Sequence, residues 1–152
     1  VDARGSCERF LHALVDAAPQ AGVVVVHAEV AELGRIFARR APRPVLLAAD
    51  HPASVTAAYA NMKMLAQRFG LMAFDLLLVA AAGSPRTPRI AEQLALTADR
   101  FAGAALHDWA AIDPASDAAP PRALLRLARA LVTEPQPTVP AHSASGAMQA
   151  LP

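Results

Sequence analysis

The sequence predicts an α/β three-layer sandwich, a mostly parallel sheet of about four strands with helices on both faces. Two observations lead there. Short apolar runs of strand length alternate with longer segments whose apolar residues recur at helical spacing. The connections between them are short and carry Pro or Gly, which favours parallel strands joined by right-handed crossovers.

Taken in order, CERFLHALVDAA (7–18) reads as a first helix. Val23-Val24-Val25-Val26 has the pattern of a strand buried on both faces. HAEVAELGRIFARR follows, with Val30, Leu33, Ile36 and Phe37 at helical spacing. Pro42 and Pro44 break the chain before a second buried strand, Val45 to Ala49. Pro52 suits the first turn of the next helix. There Val55, Tyr59, Met62, Ala66 and Phe69 form one apolar stripe, and Gly70 ends it.

FDLLLV (74–79) predicts a third strand. The loop AAGSPRTP leads to a helix starting near Pro88, with Ile90, Leu94, Thr97 or Ala98, and Phe101 on its apolar side. Ala104 to Ile112 supplies a fourth, less regular strand, and a last helix spans Pro121 to Val132 with Leu124, Leu125, Ala128, Leu131 and Val132 on one side. From Thr133 the composition turns to Pro, Ser and Ala and predicts a disordered tail over 133–152, leaving 1–132 as one α/β domain.

Composition narrows the function classes. The 152 residues are 55% hydrophobic but only 5% aromatic, so Ala, Leu and Val fill the core. A net charge of +1 carries no electrostatic footprint for nucleic acid, and no nucleic-acid partner is expected. Cys7 is the only cysteine, which excludes an intrachain disulfide and fits a reducing cytoplasm. No apolar run approaches the roughly 18–20 residues of a membrane span. The chain starts at Val1 rather than Met, which leads us to expect a processed or truncated product.

In a parallel sheet, ligands gather beyond the carboxyl ends of the strands. That rim would collect His27 and Glu29, Asp50 and His51, Ser84, and Asp113. One reading is a nucleotide or partner site. The other is that Asp50 or His51 caps the following helix and Asp113-Pro114 makes a turn; the sequence favours capping. His27, Glu29 and His51 lack metal-ligand spacing, so no metal is expected. Ser6, Ser54 and Ser84 lie outside any GxSxG elbow, and Cys7 has no identifiable histidine partner, so no catalytic nucleophile is assigned.

DHPASVTAAYANMKMLAQRFG (50–70) resembles a segment of the MinD/ParA-type flagellar number regulators (FlhG/FleN-like). IAEQLALTADRFAGAALHDWAAIDPASD (90–117) looks like the same family's later helix, strand and turn, and VDARGS resembles its second switch, with Asp2 at the acidic position. Together these pieces cover about two-thirds of the chain. The resemblance implies a P-loop NTPase-like fold; Asp2, by the resemblance, and Asp50, His51 and Asp113, by their place on the rim, are the candidate cofactor-binding residues. It also implies flagellar protein partners: the SRP-type flagellar GTPase, switch components or a transcriptional activator.

The departures matter as much. The family binds ATP through a lysine-containing Gly-rich loop, and none of the glycines at 5, 22, 34, 70, 83, 103 and 146 sits in one. Lys63, the only lysine, lies inside a helix. Ala110 or Ala111 replaces the family's late glycine, and Asp113-Pro114-Ala115 replaces Pro-Tyr-Asp. A strand and helix (Val23 to Arg40) also precede the strand that leads into the recognised helix. The expectation is a diverged domain with no cofactor and no catalysis by these residues, regulating flagellar biosynthesis or number through protein partners. The alternatives are the C-terminal half of an active ATPase, or a generic α/β binding module.

The resemblance carries two further expectations. Residues 121–132 form a basic amphipathic helix that packs on the sheet or lies on a membrane, and packing is favoured. Family dimers form across an ATP sandwich, so a homodimer here needs another basis.

Overall fold

The computed structural model describes residues 3–37 and 42–133, with side chains from residue 9 onward. Helices α1 (Ala3–Ala17) and α2 (Val30–Phe37) precede β1 (Val45–Ala49). Then follow α3 (Pro52–Phe69), β2 (Ala73–Val79), α4 (Arg86–Ala102), β3 (Ala105–Ile112) and α5 (Arg122–Thr133). The strands form one parallel sheet in the order β1-β2-β3, with Leu46 opposite Leu76 and Leu76 opposite Trp109. The fold is the three-layer α/β sandwich that the sequence predicts, with three strands among the described residues where about four were expected. The predicted disordered tail, 133–152, lies outside the described residues except for Thr133.

The missing strand is Val23–Val26. Its four β-branched residues promised a buried strand, but the segment joins no ladder, and Val25 is 86% exposed. Composition reports that a segment would suit a sheet; it cannot report that a neighbouring edge is bound.

α3 is well determined by its ends. His51 stands at the N-cap in extended conformation, and its Nδ1 accepts from the Ala53 N–H. Pro52 opens the first turn without wasting a donor. Gly70 closes the helix at φ 70°, a left-handed conformation that a side chain would strain.

Alternate residues of the strands build the front core. Leu46, Ala48, Phe74, Leu76 and Leu78 are buried against Ala58, Met62, Leu65 and Ala66 of α3 and Ala91, Leu94 and Ala98 of α4. On α4 the stripe includes Ala98, as one of the two expected alternatives, but Phe101 at its end is exposed. α2 packs on α3, with Gly34 against the Phe69 ring, so close that any Cβ at 34 would collide with it.

α5 covers the opposite face, over β3. Leu127 and Ala110 are buried there, outside the front cluster. The inward line of α5 therefore centres on Leu127, flanked by half-buried Leu124 and Leu131, while Leu125 and Val132 of the expected stripe are exposed. A leucine-rich helix offers two overlapping apolar faces, and the buried one keeps Leu124 and Leu131 of the expected stripe but turns toward Leu127. Among the described residues no helix is long and apolar enough to cross a membrane.

Candidate functional site

The loops at the carboxyl ends of the three strands form a rim, and side chains fasten them to one another. At the end of β1, Ser54 Oγ accepts from the Ala49 N–H at 2.9 Å, beside the His51 cap. Ser84, in the loop after β2, donates from Oγ to Asp50 Oδ2 at 2.8 Å. Asp113, after β3, accepts from the Ala82 N–H through Oδ2 at 2.9 Å and from the Ala115 N–H through Oδ1 at 3.0 Å. Asp50 thus ties the first loop to the second, and Asp113 ties the second to the third.

Each predicted rim residue can now be placed. Asp50, His51, Ser84 and Asp113 gather at one edge, His51 as the helix cap and Asp113 as a turn former. His27 and Glu29 have no strand end to carry them there, because Val23–Val26 is not in the sheet. Asp2, like the side chains of Ser6 and Cys7, lies outside the described residues. No three His, Cys, Asp or Glu side chains converge on a point among the described residues.

From the rim a groove of about 440 Å³ runs between α3 and α4, entered past Asp50 and His51 and walled by Thr56, Arg86, Arg89 and Gln93. It continues over a second hollow of about 190 Å³ floored by Val55, Tyr59, Ile90 and Leu94. Arg86 Nη1 is 3.8 Å from Asp50 Oδ1 and 72% exposed, a pair that water largely screens. On the outer side of α3, Thr56, Lys63, Gln67 and Arg68 are all exposed.

A second polar cluster, which the sequence reading passed over, lies at the other end of the strands. Asp75 of β2 is fully buried; its Oδ2 accepts from Arg43 Nε at 2.7 Å and its Oδ1 from the Asp108 N–H at 3.1 Å. His107 Nδ1 is 3.8 Å from the same carboxylate. Asp108 takes a two-pronged bond from Arg126 of α5, with Nε at 3.0 Å from Oδ2. The Arg126 hydrogen bond holds the Asp108 carboxyl below its ordinary pKa; burial opposes this, and the Trp109 N–H assists it. The available signal was the charged residue at the second position of FDLLLV, with an arginine one residue before Pro44.

No protein-family model, curated protein or solved structure matches the chain.

Proposed function

We propose that this chain is a MinD/ParA-like domain, of P-loop NTPase-like descent but without nucleotide chemistry of its own residues. In this reading it acts in the control of flagellar assembly or number by binding other proteins. The descent and the flagellar role rest on the resemblance; the absence of nucleotide chemistry rests on one observation, the bonding of two backbone donors at the rim. A phosphate site needs converging free N–H groups, normally with a lysine. Here the Ala53 and Ala82 N–H groups are spent on His51 and Asp113, and Asp50 and Asp113 add carboxylates at the same edge. Such bonds brace the loops and leave these donors unavailable to a phosphate.

The surface left for recognition is the outer side of α3, where Lys63 and Arg68 supply charge beside Thr56 and Gln67. It presents these side chains on a helix whose two ends are capped, so the backbone needs no further ordering on binding. The partners to test are the SRP-type flagellar GTPase, the flagellar switch components and the transcriptional activator that the resemblance implies.

Surface-plasmon titration of these purified partners over the immobilised chain tests the proposal, with the double variant Lys63→Glu/Arg68→Glu alongside. Binding of one partner, weakened roughly tenfold or more by the double variant, is the expected result. Failure of every partner to bind, or binding that ignores the double variant, overturns it.

A further inference from the structure

The hydrogen bonds that bracket β1 determine which way its backbone faces. The Asp75 N–H donates to the Pro44 carbonyl, the Asp50 N–H donates to the Val79 carbonyl, and Leu46 pairs in register with Leu76. In a parallel ladder this phase turns Pro44, Leu46, Ala48 and Asp50 toward β2 and leaves Val45, Leu47 and Ala49 facing the open edge. Ala49 is already closed there, its N–H held by Ser54 Oγ and its carbonyl by the His51 N–H.

Among the described residues no hydrogen bond closes four groups on this edge, the N–H and C=O of Val45 and of Leu47. The side chains of the same two residues are 37% and 56% exposed, on the face opposite α3, with Val79 at 36%. Folded proteins usually blunt such an edge with lysine, proline or a bulge. Val45–Ala49 reads VLLAA and pairs without a bulge.

The same chain carries a segment of matching length and chemistry. Val23, Val24 and Val25 are 55%, 45% and 86% exposed, and the run 23–26 makes no ladder of its own. α2 bears on the kind of occupant the edge can take. It packs on α3 but not comparably on α4, so it stands on the β1 side of the front layer. A whole second sheet brought edge to edge would push its own α3 into the space that α2 fills. A bare strand brings no such helix with it. Within one chain α2 is already seated while Val23–Val26 stands off the sheet, so the intramolecular position is left untaken.

We propose that the β1 edge of one copy receives Val23–Val26 of a second copy, and the reverse, giving a strand-exchanged homodimer. The exchange satisfies the open groups of Val45 and Leu47 and covers exposed valines in both copies. It requires no bound nucleotide.

Sedimentation velocity on the full chain over a roughly hundredfold concentration range tests this, since dimerisation is a mass-action equilibrium. Two variants accompany the wild type. Val25→Asp changes a residue that the monomer leaves in solvent, so only pairing should register it. Leu47→Pro removes one outward N–H and spares the bonds to β2, which Leu46 and Ala48 make. The expected result is a wild-type dimer whose association weakens roughly tenfold or more in each variant, with unchanged far-UV circular dichroism. In a Cys7→Ser background, mixing Val25→Cys with Leu47→Cys chains should yield the mixed disulfide. A wild type monomeric at every concentration overturns the proposal, as does a dimer that Val25→Asp leaves intact. A monomer that Val25→Asp destabilises overturns it too, because the run would then occupy its own edge.

Discussion

Arg43 and Asp75, 32 positions apart, form an ion pair at 2.7 Å in which the carboxylate is fully buried and the guanidinium side chain only 12% exposed. Asp75 also receives the Asp108 N–H, so one carboxylate links the approach to β1 with β2 and β3. Removing one partner of a buried pair costs more than the pair contributes, because the other charge stays desolvated. Asp75→Ala should therefore lower the unfolding free energy by about 3–5 kcal/mol in a urea titration followed by circular dichroism. A loss below about 1 kcal/mol would show that the cluster is solvated rather than structural.

The Asp108–Arg126 contact predicts a pH signature. The folded-state pKa of Asp108 is depressed, so the unfolded chain binds the proton more readily. The stabilisation is complete above the unfolded value of about 3.9 and is lost as pH falls through the folded value. Wild type should be more stable than Arg126→Ala at pH 7, and the gap should close progressively below about pH 4. Paired urea titrations across that range check it; a gap independent of pH contradicts the assignment.

Gly34 and Phe69 give a packing test. A methyl group at 34 would collide with the Phe69 ring, although alanine is the better helix former by about 1 kcal/mol. Overpacking of about 1–3 kcal/mol should dominate, so Gly34→Ala destabilises on a wild-type background. On a Phe69→Ala background the same change should become neutral or favourable. A double-mutant cycle measured by thermal unfolding reads the sign directly.

These sites also show how far the sequence could be read. α3 was legible in detail because local chemistry decides it: a stripe at steps of four and three, a proline in its first turn and a glycine beyond its end. The rim loops were legible as caps and turns for the same reason, and His51 and Asp113 take those roles. Val23–Val26 was misread because a β-branched run specifies a conformation and not the edge it joins. The faces of α4 and α5 were offset because Phe101 and Leu125 are as apolar as the residues that the sheet buried instead. Asp75 does not show in the pattern, because the periodicity of an apolar strand does not register the one charge that breaks it.

In the proposed function the bonded Ala53 and Ala82 N–H groups and the carboxylates of Asp50 and Asp113 brace the rim, and the chain binds proteins rather than nucleotide. Isothermal calorimetry of the full chain with magnesium and ATP tests it most directly. Heats of dilution alone are expected up to millimolar nucleotide. Saturable binding in the micromolar range, weakened by substitution of Asp50 or Asp113, would contradict it.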